Sequence, residues 1–120
     1  MSPEYAKDLQ SAVRIYEEST LPLIREGAYG AAAMEIGNAL QILAEGMRNI
    51  PSGPQYRRLR RTVLSTAGRL EGLKKSCWFE DTSGIEIGLR FVEERIYLLG
   101  ISADALAQNE QPEEERKNER

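Results

Sequence analysis

Between residues 85 and 106 the apolar side chains Ile85, Leu89, Val92, Ile96, Leu99, Ala103 and Leu106 follow one another at alternating steps of four and three, without a miss. In a strand such steps would scatter the set over both faces of a sheet. At about 3.6 residues per turn they stay on one side of a helix. No segment of the 120-residue chain alternates with a period of two, so the chain is read as all-α.

Three further stripes precede this one. The first helix is expected to begin near Ser2-Pro3, a capping residue followed by proline at the first helical position. Its stripe is Tyr5, Leu9, Ala12/Val13, Tyr16, Thr20 and Leu23/Ile24, and Pro22 should kink it or force its last turn to restart. Glu26-Gly27-Ala28 leads into a second helix with the stripe Tyr29, Ala32/Ala33, Ile36, Leu40, Leu43 and Met47. Gly30, Ala33, Gly37 and Ala44 make that helix slim. A glycine inside a helix costs roughly 1 kcal/mol relative to alanine, so close approach of a neighbouring backbone is the expected compensation.

The segment 50-IPSGP-54 then breaks the chain, and a third helix is predicted from about Gln55 to Trp78 on Tyr56, Leu59, Val63, Thr66/Ala67, Leu70, Leu73 and Cys77. The fourth helix, 83 to 107, opens with the capping-box pattern Ser83-x-x-Glu86. Phe91, Leu98, Ile101 and Ala105 lie beside its main stripe, so it is apolar over more than half its circumference. A helix of that kind is central to its bundle or forms half of an interface. Short connections favour an antiparallel up-down four-helix bundle, one domain over residues 1–107. The alternative is a three-helix bundle whose fourth helix docks on a second copy. From Gln108 the sequence QNEQPEEERKNER lacks any apolar residue and reads as a disordered charged tail, 108–120.

Histidine is absent, and this excludes more chemistry than any residue present suggests. Serine and cysteine triads, histidine phosphotransfer, His-containing zinc sites and the Glu-x-x-His pairs of di-iron bundles all need an imidazole. Gly27, Gly30, Gly37 and Gly46 match neither a P-loop nor a dinucleotide fingerprint. The expectation is a protein that is not an enzyme, with no catalytic residue, metal or cofactor. No apolar run approaches the roughly 18 residues of a membrane span. The charged start MSPEYAKDLQ and the single Cys77 point to the cytoplasm or nucleus rather than secretion. Cys77 falls on the third stripe and is expected to be a buried structural thiol, with Trp78 plugging the bundle end. The acidic pairs Glu17/Glu18, Glu80/Asp81 and Glu93/Glu94 diverge by about 100° on a helix and read as solvated charge.

Charge is distributed unevenly. Residues 55 to 75 hold seven basic side chains and one acidic, a local +6, so the rest of the chain carries −9 to reach the net −3. Arg57, Arg58, Arg61, Arg69 and Lys75 fall opposite the apolar stripe of the third helix, and Arg60 falls at its flank. Basic residues in a first turn oppose the helix dipole. The cluster has three readings: a solvated face paired with acidic neighbours, a docking site for an acidic protein, or a phosphate-backbone contact.

Gly27-x-Tyr29-x-x-Ala32 opening the second helix, together with RLEGLKK (Arg69 to Lys75) closing the third, resembles MIT domains, the three-helix, tetratricopeptide-like modules of endosomal-sorting and membrane-remodelling proteins. The resemblance covers residues 5 to 75. It implies a non-enzymatic adaptor that receives a partner's amphipathic helix in a groove between helices. The sequence reading is therefore a helical protein-interaction module: an adaptor, chaperone-like factor or assembly subunit. It would dock an acidic protein or an amphipathic helix through the basic face (Arg57, Arg58, Arg61, Arg69, Lys75) and through an apolar face (Phe91, Leu98, Ile101). Homo-oligomerisation through the fourth helix is a related expectation, and a nucleic-acid-associated subunit using the basic face is the competing one.

Overall fold

The structure, a computed structural model, describes residues 3–109. Its elements are α1 (Glu4–Ile15), a π-helical turn (Tyr16–Thr20), α2 (Leu21–Arg25), α3 (Tyr29–Asn49), a 3₁₀ turn (Pro54–Tyr56), α4 (Arg57–Trp78) and α5 (Thr82–Asn109). α1, the π turn and α2 run on as one rod, so the described residues form four rods. Each packs on the next, and α5 returns to α1 and closes the ring. Gly46 of α3 lies against Tyr5, Asp8 and Leu9 of α1, while Gly88 of α5 lies against Leu73 of α4. Gln10 of α1 donates to Asp104 of α5. These pairings make the neighbouring rods antiparallel, the up-down bundle that the short connections imply.

The core is the sum of the four stripes. Leu9, Ile36, Leu43, Val63, Leu70, Leu73, Val92 and Leu99 are all buried, with Cys77 among them. At one end Tyr5 meets Tyr56 edge to face, ring centroids 6.4 Å apart. α5 is described as far as Asn109, two residues beyond the bound the pattern predicts. The rest of the expected tail, 110–120, lies outside the described residues.

Pro22 has a more specific effect than a kink. Along the first rod the buried positions are Tyr5, Ala6, Leu9, Ala12, Tyr16, Thr20 and Ile24, and the last three steps are all four. Four residues overshoot an ideal α-turn by about 40°, so repeated fours walk off the core face. The π turn, in which the Leu21 amide donates to the Tyr16 carbonyl, absorbs that overshoot just before the residue that has no amide to give. Thr20 sits there fully buried, and its Oγ1 has no hydrogen-bond partner among the described residues. Buried Thr66, in a regular α-turn, donates to the Thr62 carbonyl at 2.7 Å.

The rod ends follow local rules. Gly27 takes φ 78°, the Ala28 amide reaches back to the Leu23 carbonyl, and the Gly27 amide to that of Ile24. The end of α4 repeats the pattern with Glu80 at φ 54°, Asp81 bonding to Ser76 and Glu80 to Cys77. The start of α5 corrects the capping-box reading: Asp81, not Ser83, is the cap, its Oδ1 accepting from the Gly84 amide at 3.1 Å.

The expected close approach at the slim side of the second helix is corrected as well. Nothing lies within 4 Å of where a Cβ would stand on Gly30, and at Gly37 only the end of the Lys74 side chain does, at 3.9 Å. Close approach occurs instead at Gly46, beneath α1, and at Gly88, beneath α4.

Candidate functional site

α5 is long enough to serve the bundle with one seam and present another. Two residues out of phase with the buried seam runs a second series, Ile87, Phe91, Glu94, Leu98, Ile101 and Ala105, with the same alternation of four and three. A two-residue offset turns the helix by about 200°, so this series faces away from the core. All of its members are exposed; Ile87 and Ile101 keep about half of their surface in water. Burial of a side chain of this size is worth roughly 1.5–3 kcal/mol when complete, which the isolated bundle leaves unused.

α4 borders this seam through the register of the α4–α5 pair. Leu73 opposite Gly88 and Arg69 opposite Phe91 set the alignment, and Ser65 then stands level with Arg95. The Arg69 guanidinium carbon lies 4.6 Å from the centre of the Phe91 ring, a cation–π contact. Both residues belong to the predicted sets, one basic and one apolar, and the fold brings them together.

Nearer the start of α4 a recess of about 450 Å³ is lined by Pro54, Arg57, Arg58, Arg61, Thr62, Ser65 and Arg95. Three of its arginines are predicted site residues, and Arg95 is the one the sequence reading missed. None of the four guanidiniums makes a hydrogen bond or ion pair with another described residue. In water two unit charges about 6 Å apart repel by roughly 0.7 kcal/mol, a modest term that multiplies with the number of pairs and is screened by salt. No carboxylate lines the recess to offset it.

Arg60 is different. Its guanidinium donates to the Pro51 carbonyl at 2.6 Å and to the Gly53 carbonyl at 3.0 Å, tying down the loop that precedes α4. Of the four arginines in QYRRLRRT, one is structural and three face the recess.

Lys75 does not join them. It lies toward the other end of α4 with Glu71, Gly72, Lys74, Trp78 and Phe79 around a depression of about 700 Å³. Trp78 is 64% exposed, which corrects the expectation that it plugs the bundle end: the turn through Glu80 leaves Trp78 and Phe79 outside. Cys77, one residue earlier, is fully buried, and burial pushes its thiol up, away from the reactive thiolate.

Lys74, Gly37, Met34, Leu40, Ala44 and Trp78 line an open groove between α3 and α4 where close helix contact was expected. Among the described residues no group of three Cys, Asp or Glu side chains is arranged to hold a metal ion. None of the described helices is long and apolar enough to cross a membrane.

The arrangement thus offers a face about five turns long on which an exposed apolar seam runs beside guanidiniums unpaired among the described residues, with Arg69 on Phe91 as the junction. Such a face can bind by shape and charge. No family model matches the chain, and no curated protein or solved structure matches it either.

Proposed function

We propose that the chain is a non-enzymatic helical protein–protein interaction module, an adaptor, chaperone-like factor or assembly subunit, that docks its partner on the α4–α5 face. The observation that carries this reading is the Arg69–Phe91 contact, because it joins the apolar seam and the arginine row into one surface. An amphipathic helix with acidic residues along one edge of its apolar stripe is the partner such a surface suits. The apolar anchors would be Phe91, Leu98 and Ile101; the arginines would fix orientation and speed encounter. An adaptor role is also what the MIT-like pattern of residues 5 to 75 implies, and the cytoplasm or nucleus is the compartment we propose for it.

The test is affinity capture from native extract with cross-linking, comparing the unaltered chain with a Leu98→Glu/Ile101→Glu variant whose helicity is checked in parallel. The expected result is a partner whose cross-links fall between residues 87 and 101 and which the variant fails to retain. Equal recovery by a folded variant sinks the reading. Self-association through α5 is the related form of the proposal. Light scattering that shows a monomer from micromolar to millimolar concentration excludes it.

A further inference from the structure

The recess at the start of α4 points to a second kind of ligand, and it does so without help from the apolar seam. Arg57, Arg58 and Arg61 come from two turns of α4, and Arg95 comes from the middle of α5. The four charges therefore converge through tertiary structure rather than through one run of sequence. Their partners are missing: the only ion pairs among the described residues are Arg48–Glu45 and Lys74–Glu71, both elsewhere. The hydroxyl of Ser65 also lines the recess and bonds to no described residue, while that of Thr62 is committed to the Arg58 carbonyl at 3.0 Å.

We infer that this recess is a binding site for a compact, multiply charged oxyanion, a chain of linked phosphates held by Arg57, Arg58, Arg61 and Arg95. Guanidinium forks match phosphate oxygens two at a time, and four around one recess supply more charge than a single orthophosphate can use. The ligand is compact because the basic row stops. Beyond Ser65 the outer face of α4 continues with Gly68, with Arg69 already seated on Phe91, and then with Glu71. An extended nucleic-acid backbone would run out of contacts there. No aromatic side chain lines the recess to stack a base. Outside residues 55–75 the chain is acidic overall, which disfavours an anion at most other places and steers it toward this one.

Calorimetric titration of the full chain with orthophosphate, pyrophosphate and tripolyphosphate, at about 20 mM and about 200 mM sodium chloride, tests the inference. The expected affinity rises along that series by about tenfold or more in total and falls at the higher salt. Arg61→Ala and Arg95→Ala should each weaken tripolyphosphate binding about tenfold, whereas Arg48→Ala and Lys75→Ala should leave it unchanged. A nucleoside triphosphate without magnesium identifies the source. Binding equal to tripolyphosphate assigns an inorganic ligand, and binding about tenfold tighter assigns a nucleotide, both within the same site.

Three results overturn the inference. One is no saturable binding at the lower salt, and another is an Arg95→Ala chain that binds like the unaltered one. The third is a single-stranded oligonucleotide that binds far tighter than tripolyphosphate, with a steeper salt dependence. The Ile101→Glu change, which disrupts the apolar seam away from Arg95, should leave tripolyphosphate binding intact. Failure of the docking proposal and failure of this one are thereby separable.

Discussion

α5 carries two apolar seams of identical spacing, one beginning at Ile85 and one at Ile87, and only the first is covered by the bundle. Their difference is not periodicity. The inner seam holds seven apolar residues and no charge; the outer one has Glu94 at its middle and ends in small Ala105. A helix buries first the seam that asks for no desolvation of charge, and the second is left to whatever binds from outside. One helix thus shows core and surface written in nearly the same residues, separated by a single carboxylate and a rotation.

Truncating one residue on each seam separates the two most strongly. Leu99→Ala, on the inner seam, should cost about 2–5 kcal/mol in urea unfolding, because it leaves a cavity in a filled core. Leu98→Ala, its neighbour on the outer seam, should change stability by less than about 0.5 kcal/mol. Similar losses for the two would mean that the outer seam is covered by the protein itself, as in a dimer.

A smaller effect tests how dry the inner side is. Burial, reinforced by the Glu93 carboxylate and opposed by Arg25, pushes the Tyr16 phenol up to about 12 from its ordinary 10.0. The folded state therefore holds this proton more tightly than the unfolded chain does. Its contribution to stability is complete below pH 10 and is lost as pH rises from about 10 to 12. Urea midpoints measured across that range should fall more steeply for the unaltered chain than for Tyr16→Phe; parallel curves would mean that water reaches the phenol.

The smallest effect carries the contrast over to α4. Arg60→Ala should cost about 1–2 kcal/mol through its two lost bonds to the 51–53 loop, while Arg61→Ala costs nothing measurable or gains slightly by relieving repulsion. Thermal denaturation at low salt separates the two.

Much of this was legible in the residues. Four helices, their order and nearly all of the core follow from stripes whose members must share a side. The outward set of α4 and the spare apolar residues of α5 follow from the same arithmetic. What escaped depends on interactions that a stripe does not encode. Ser83 and Glu86 fit a capping box, but Asp81 is the residue one turn ahead of the Ile85 amide and takes the role. Gly37 and Ala44 are small, yet smallness permits close contact without compelling it, and Lys74 occupies the space. Arg95 was invisible as a site residue because its neighbours are set by the register of α4 against α5. That register is fixed by Gly88 under Leu73, well away in sequence from Arg57, Arg58 and Arg61, which it brings level with Arg95.

The π turn at Tyr16–Thr20 has a consequence for the length of the chain. Such a turn is an α-helix carrying one surplus residue, with the segments on either side still in phase with the core. Removing a single exposed residue there, Glu17 or Glu18, lets the rod close as a plain α-helix without turning Leu9 or Ile24 away from the interior. The same deletion two turns earlier would rotate everything between it and the π turn by about 100°. At the π turn the count of residues in the first rod is thus adjustable while the arrangement of its buried side chains is not.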